Sequence, residues 1–215
     1  MSSRLDRLQR DILDAFFART TAFRLTGGGA LVGFYLHHRR TDDLDLFAAP
    51  PTSMAEGDRA LRSAADALGA SVEVKQDGVD FRRFVLVRGG ERTVVDLVID
   101  RVPRVSDEVV LGGIHLDSLE EIAANKVCTL LSRMEPRDLV DLDRLLGTGI
   151  PLARAVGLAR QKDGGADPAT LAWVLSTWWV PRGTPLPEGT TADGLLALRD
   201  ALVVQLTAMA LPDPG

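Results

Sequence analysis

Hydrophobic positions recur every three or four residues over much of the chain, and every second residue over shorter stretches. The helical spacing predicts helices over 3–18, over 30–38 just after Gly29, and over 54–68. Shorter apolar runs, bounded by glycine and aspartate turns, predict strands over 23–25, 44–47, 71–75, 81–87 and 93–99. Helices and strands in this order are typical of an α/β (α+β) domain with a mixed sheet.

The pattern changes after Gly112-Gly113, where helical spacing continues to about residue 210. The predicted helices cover 118–132, 136–146, 151–163, 168–179 and 191–210. The main interruption is RGTPLPEGT, over 182–190. We therefore expect two domains, an α/β domain over 1–115 and a helical bundle over 116–215.

Composition narrows the class of protein. The 215 residues carry a formal net charge of −5, which gives no support to general nucleic-acid binding, although a local basic face could still contact a polyanion. The single cysteine, Cys128, excludes an intramolecular disulfide and suits a reducing compartment. Because the N-terminus lacks the features of a secretory signal and no apolar run is long enough for a membrane span, we expect a cytoplasmic protein.

Candidate chemistry concentrates in LTGGGALVGFYLHHRRTDDLDLF, over 25–47. In a strand entered at Asp43, Asp43 and Asp45 point to one face about 6.5 Å apart along the backbone, and Asp42 points away. Two carboxylates at this spacing can converge on Mg²⁺, which takes one or two carboxylates together with substrate phosphates. The pair therefore predicts a metal site.

The glycines supply a second half of the same site. A strand, a tight turn at Gly27-Gly28 and a helix N-terminus together expose backbone N–H groups to an anion, and a triphosphate would suit them. Each feature alone is a weak signal, because glycine-rich loops and acidic turns are common. Their conjunction in one strand–helix–strand unit predicts a site for a metal-bound polyphosphate. Arg39, just before the aspartates, either contacts those phosphates or lies in a solvated turn.

These residues resemble the nucleotidyltransferase superfamily, whose signature is a Gly-Gly or Gly-Ser pair followed by Asp, an apolar residue and Asp. More narrowly, the chain resembles the AbiEii/AbiGii toxin family. A second stretch carries this resemblance, LEEIAANKVCTLLSRMEPRDLVDLDRLL over 119–146, with Lys126, Arg133 and the run Arg137-Asp138 to Asp141-Leu142. The resemblance covers about residues 20–146. Relatives often have a hydroxyl residue after the first glycines, where this chain has Gly29.

The resemblance implies a nucleotidyltransferase-type fold and further site residues. A third acid, Asp96 with Asp100 as the alternative, would join Asp43 and Asp45 as catalytic and metal-binding residues. Gly27, Gly28 and Gly29 would bind the nucleotide with Lys126, Asp138 and Arg39, so the helical domain would complete the active-site cleft. From the residues alone, Lys126 is either snorkelling or held inward. Asp138 and Asp141 either face the cleft or form structural ion pairs with Arg137 or Arg133.

The implied reaction transfers a nucleoside monophosphate from an NTP, with Mg²⁺ or Mn²⁺, to an acceptor hydroxyl. The family suggests the 3′ end of tRNA as acceptor, and the toxin role in a type IV toxin–antitoxin pair with an antitoxin encoded nearby. Two alternatives stay open: transfer to a small molecule such as an aminoglycoside, which an acidic cleft would favour, and a non-catalytic nucleotide-binding module.

Overall fold

The computed structural model describes residues 4–211, and they divide into two compact units. The first unit runs to Pro103 and includes Asp107–Ser118. The second comprises Arg104–Ser106 and the chain from Leu119 onward. The prediction of a mixed sheet with flanking helices, followed by a helical bundle, is confirmed.

The first unit is built around one seven-stranded sheet. Its helices are α1 (Arg7–Phe17), α2 (Gly27–Ala30), which continues as a π-helical turn (Leu31–Tyr35), and α3 (Met54–Leu68). Its strands are β1 (Arg24–Thr26), β2 (Asp43–Ala48), β3 (Ser71–Asp77), β4 (Phe81–Arg88), β5 (Glu91–Ile99), β6 (Val109–Leu111) and β7 (Ile114–Leu116).

The strand order is β3-β4-β5-β2-β1-β7-β6. β2 pairs in parallel with β5 and antiparallel with β1, so it lies between β1, which precedes the glycine turn, and β5, which carries Asp96. β1 also pairs in parallel with β7. This order brings residues far apart in sequence onto neighbouring positions of one sheet face.

Apolar side chains on the opposite face hold α1 and α3 against the sheet. Phe16 of α1 and Phe23 are fully buried, with ring centroids 5.6 Å apart in an edge-to-face pair. Leu61 of α3, Leu44 of β2 and Leu97 of β5 are also fully buried. Burying such side chains contributes about 1.5–3 kcal/mol each, which explains why the strand alternation is so regular here.

Two local features differ from the sequence-based prediction. The helix begins at Gly27 rather than after Gly29, because Gly27 itself makes the turn with a φ of +58°. The short hairpin of β6 and β7 was not predicted, since each strand has three residues and the Gly112-Gly113 turn between them marked only a boundary. β7 joins the sheet beside β1, and β6 forms the edge beyond it.

The second unit is helical. It contains α4 (Leu119–Ser132), α5 (Pro136–Leu146), α6 (Leu152–Lys162), α7 (Pro168–Thr177) and α8 (Ala192–Ala210), close to the predicted bounds. α5 begins with a capping box between Glu135 and Asp138 and has Pro136 in its first turn, where a missing N–H costs nothing. None of the helices within 4–211 has the length and apolar character needed to cross a membrane.

Candidate functional site

Strand β2 separates its acidic and apolar residues cleanly. Asp43 and Asp45 are half-buried on one face, whereas Leu44 and Leu46 are fully buried on the other. The alternation follows from the two-residue repeat of a strand, and the apolar residues fix its phase. A slip by one residue would bury both carboxylates, so the core of the first unit determines where the aspartates point.

Pairing with the neighbouring strands extends this face sideways. Asp45 lies opposite Thr26 of β1 and beside Asp96 of β5, and Asp96 lies opposite Arg83 of β4. Residues paired in this way share a face, with neighbouring strands about 4.8 Å apart. We call the three aspartates Asp43, Asp45 and Asp96 the acidic face. The predicted third acid is therefore on the same side of the sheet as the first two.

Asp96 has a partner that the sequence did not reveal. Arg83 donates from Nε to Asp96 Oδ1 at 2.8 Å and from Nη2 to Oδ2 at 2.6 Å, a bidentate pair. The Asp96 side chain is 6% exposed and that of Arg83 is 46% exposed. The hydrogen bonds that Arg83 donates to Asp96 raise the pKa of Arg83, and the charges of Asp96, Asp43 and Asp45 add to the shift. The sequence FRRF in β4 contains two adjacent arginines, and it does not show which of them lies on the same face as the aspartates.

Gly27 brings the backbone close to a carboxylate of the acidic face. A Cβ added there would lie 2.7 Å from Asp45 Oδ2, closer than real contacts allow. Gly27 also has a φ of +58°, which side-chain-bearing residues rarely adopt. The turn therefore needs glycine both for its conformation and for its distance from Asp45.

The next two glycines have different neighbours. A Cβ on Gly28 would lie 2.8 Å from Arg39 Nη2 and 3.2 Å from Thr41 Oγ1, so the buried Arg39 guanidinium lies against the turn. Arg39 also donates to the carbonyl of Arg40 at 2.8 Å. A Cβ on Gly29 would instead meet Leu25 and Leu44. Gly29 thus permits close packing of the helix on β1 and β2.

Thr41 and Gln9 fix the backbone where β2 begins. Thr41 donates its hydroxyl to Asp43 Oδ1 at 2.6 Å. Gln9, almost fully buried on α1, donates to the Thr41 carbonyl at 3.0 Å and to Thr93 Oγ1 at 3.3 Å. Both contacts fix the backbone immediately before the acidic face, because a buried amide must keep its hydrogen bonds.

Thr26 contributes a hydroxyl that sequence reasoning overlooked. It immediately precedes Gly27, lies opposite Asp45 and is 4% exposed. Among the residues that the structure describes, Thr26 Oγ1 has no hydrogen-bond partner, and it does not cap the helix that follows. A buried hydroxyl without a partner is costly, so a ligand oxygen here would satisfy it. The hydroxyl absent at Gly29 therefore has a counterpart before the glycines.

The donor set of the acidic face fits a divalent cation. Carboxylate oxygens are the ligands that Mg²⁺ and Mn²⁺ prefer, and Asp43 and Asp45 share one face of β2. Within residues 4–211, no three acidic, histidine or cysteine side chains are already gathered as a finished metal site. Both oxygens of Asp96 are bound by Arg83 instead. Asp100, the alternative third acid, follows the end of β5 and accepts from the Val102 N–H at 2.9 Å.

In the second unit, Lys126 and Asp138 lie in one ionic cluster. Lys126 Nζ is 2.8 Å from Asp138 Oδ1 and 2.8 Å from Asp141 Oδ2. We call these three residues the buried triad, because the aspartate side chains are 0% exposed and that of Lys126 is 7% exposed. The backbone N–H of Glu135 donates to Asp138 Oδ2 at 3.2 Å, and Arg133 Nε lies 3.7 Å from the same oxygen. Lys126 is thus held inward rather than snorkelling.

Comparison with known families identifies the chain. The family described as nucleotidyl transferase AbiEii toxin, of type IV toxin–antitoxin systems, matches residues 11–206. The chain belongs to the AbiEii family. It is therefore a nucleotidyltransferase of a toxin family, and the resemblance seen in the sequence is confirmed.

Solved structures share the fold of this AbiEii nucleotidyltransferase. MenT4, a nucleotidyltransferase toxin from Mycobacterium tuberculosis H37Rv, is 16% identical with a TM-score of 0.67, over 93% of this chain and 82% of that one. JHP933 from Helicobacter pylori is 22% identical with a TM-score of 0.57, over 95% and 92% of the two chains. No curated protein matches the sequence. At these identities, the structures support the fold alone.

Proposed function

We propose that this AbiEii nucleotidyltransferase uses Mg²⁺ to transfer a nucleoside monophosphate from an NTP to the 3′ end of tRNA. The observation that carries the proposal is the position of Asp43 and Asp45 on one face of β2, with the Gly27 turn against Asp45. Two carboxylates beside a backbone turn that requires glycine are the parts a metal-bound triphosphate needs.

The proposal gives a role to each of the site residues of the first unit. Asp43 and Asp45 hold the divalent ion, which when bound stabilises charge on the attacking and leaving oxygens. Asp96 is a further ligand or accepts the proton of the attacking hydroxyl. The N–H groups that open α2 have no partner within the helix and donate to the phosphates. Arg39 and the Thr26 hydroxyl add donors beside the glycines.

Lys126 and Asp138 belong to the proposal through the family resemblance. A lysine commonly serves as a counter-charge to nucleotide phosphates. Here its ammonium is held by Asp138 and Asp141. If Lys126 also serves the nucleotide, Lys126→Arg will keep a cation in the buried triad and still weaken NTP binding, measured by titration calorimetry at a temperature where the variant is folded.

We further propose that the protein acts as the toxin of its pair, with an antitoxin encoded by a neighbouring gene. A stable complex between the two is not required. Growth arrest on induced expression, lost in Asp43→Asn/Asp45→Asn, would support this role.

A cationic small molecule is the second candidate acceptor. The formal net charge of −5 favours it, because an acidic protein attracts a cationic substrate more than it attracts tRNA. An assay that offers both kinds of acceptor distinguishes tRNA from a small molecule.

The decisive assay incubates the protein with Mg²⁺, each α-labelled NTP in turn, and total tRNA or a panel of aminoglycosides. We expect label on tRNA, lost in Asp43→Asn/Asp45→Asn and retained in Asp42→Asn, a matched control whose side chain is exposed. Label on the small molecules would select the second candidate. Label that persists in the double variant would show that the reacting centre lies elsewhere.

A further inference from the structure

The feature that the proposed reaction leaves unexplained is the bidentate pair between Arg83 and Asp96. Arg83 binds both oxygens of the most deeply buried acid of the acidic face. Its own side chain is nearly half exposed, so the pair has one partner fixed in the sheet and one that can move into solvent. The buried triad, by contrast, shields its cation and both of its aspartates from solvent.

Repulsion among the carboxylates of the acidic face explains why Arg83 pairs with Asp96. Asp43, Asp45 and Asp96 share one side of two adjacent strands, and like charges at such distances repel. The guanidinium of Arg83, paired with Asp96, lies where it relieves this repulsion in the metal-free protein. A divalent ion brought to the same carboxylates meets that positive charge and must draw an oxygen of Asp96 away from it, or share it.

We propose that Arg83 is the resident cation of the metal-free site, a positioning residue that competes with the divalent ion for Asp96 and so sets the metal affinity. The inference rests on the proposed metal site at Asp43 and Asp45. When the ion binds, it takes over the charge compensation, and the exposed guanidinium is released toward solvent or substrate phosphates. Arg83 therefore stabilises the free enzyme and weakens its hold on the metal.

Arg82 provides a matched control. It is the neighbouring residue of β4, on the opposite face, and lies opposite Leu97. It donates to Asp77 at 2.5 Å and to Asp58 at 3.0 Å, away from the acidic face. Arg82→Gln thus removes the same charge from the same strand without removing the partner of Asp96.

The test measures Mn²⁺ binding to the nucleotide-free full chain by titration calorimetry, for wild type, Arg83→Gln and Arg82→Gln. Because a nearby positive charge opposes the ion, we expect Arg83→Gln to bind Mn²⁺ about tenfold more tightly, and Arg82→Gln to match wild type. Melting temperatures in EDTA and in Mn²⁺ provide a second readout. Arg83→Gln should melt below wild type in EDTA and recover most of the difference when Mn²⁺ is added.

Other results would overturn the inference in distinguishable ways. Equal or weaker Mn²⁺ binding by Arg83→Gln, with wild type binding normally, leaves the metal site standing and removes the competition. No Mn²⁺ binding by either protein removes the metal site itself and the inference with it. If Arg83→Gln does not fold, Arg83→Lys replaces it. Lysine keeps the charge but loses the bidentate geometry, so it should bind Mn²⁺ more tightly than wild type by a smaller factor.

Discussion

The acidic face of the first unit and the buried triad of the second place carboxylates around a cation in opposite ways. In the buried triad, Lys126 and both aspartates are almost wholly shielded from solvent, and Asp138 uses both of its oxygens. On the acidic face, Asp43 and Asp45 are half-buried and the cation, Arg83, is 46% exposed. The first arrangement shields its cation from solvent, whereas the second leaves its cation nearly half exposed. From this difference we propose that the buried triad has a structural role and that the acidic face binds a ligand.

Removing the cation of the buried triad should have the largest effect. Lys126→Met leaves Asp138 and Asp141 buried without their counter-charge, which costs about 3–5 kcal/mol of unfolding free energy. Urea denaturation measures it. Arg154→Gln, which breaks the exposed pair with Glu120 in the same unit, should have far less effect because solvent screens that pair. Similar losses in the two variants would contradict the distinction between a buried and an exposed pair.

Asp45 should affect stability mainly when metal is present. In EDTA we expect Asp45→Asn to unfold within about 1 kcal/mol of wild type, because one like charge is lost from a partly solvated face. At Mn²⁺ one hundred times above its Kd, wild type should gain about 2.7 kcal/mol and Asp45→Asn far less. Thermal melts with and without the ion check this, with Asp42→Asn as control. An equal gain in Asp45→Asn would place the ion elsewhere.

Two glycine substitutions should separate the cost of backbone strain to stability from the effect on transfer activity. Gly27→Ala and Gly89→Ala both place a side chain at nearly the same positive φ, +58° and +56°, at a cost of roughly 1–2 kcal/mol each. A Cβ at Gly89 meets nothing within 4 Å, whereas at Gly27 it displaces the Asp45 carboxylate. Transfer activity should therefore fall about 100-fold in Gly27→Ala alone, since a misplaced group of about 1 Å can cost that much. Equal activities would show that Asp45 tolerates the shift.

Much of the fold could be predicted from the sequence because its signals are local. The helix over Met54–Leu68 has its Ser53 cap and its Gly69 terminus in the sequence, and the alternation around Asp43 and Asp45 set the phase of β2. The site was predicted less completely. Arg83 and Thr26 reach the acidic face through strand order and register, which depend on pairings between distant residues. No local pattern distinguishes Arg83 from Arg82.

The buried triad was also predicted only in part from the sequence. The i, i+3 spacing of Asp138 and Asp141 predicted a shared helix face, but it left a structural ion pair and a nucleotide site equally open. The structure adds the contacts of Lys126 with both. The roles of Lys126 and Asp138 toward a nucleotide stay a prediction, because these contacts show how Lys126 is held without excluding substrate contact.

The smallest expected effect concerns the far end of the helix that begins at the glycines. Tyr35 donates its hydroxyl to the Asp117 carbonyl at 3.0 Å, and burial, with the charge of Asp117, raises the pKa of Tyr35 to about 12. Between pH 10 and 12 the unfolded chain loses this proton before the folded protein does, so stability falls as pH rises. We expect wild type to lose about 1 kcal/mol more than Tyr35→Phe over this range, after allowance for partial solvent screening.

This pH effect is readily assigned because the chain has a single tyrosine. Ultraviolet absorbance therefore reports the ionisation of Tyr35 directly, beside urea denaturation at each pH. An ionisation midpoint near 10 in the folded protein would mean that the hydroxyl is neither buried nor bound to Asp117. That result would leave the acidic face untouched, because Tyr35 is an anchor of the helix and has no role in the proposed chemistry.

Locating a bound divalent ion in the protein would test the proposed metal site directly. Crystals grown with Mn²⁺ and a non-hydrolysable NTP analogue, examined by anomalous diffraction, should show Mn²⁺ between the carboxylates of Asp43 and Asp45, with phosphates beside Gly27 and Gly28. An ion bound elsewhere, with Asp43 and Asp45 contacting only protein or water, would contradict the account.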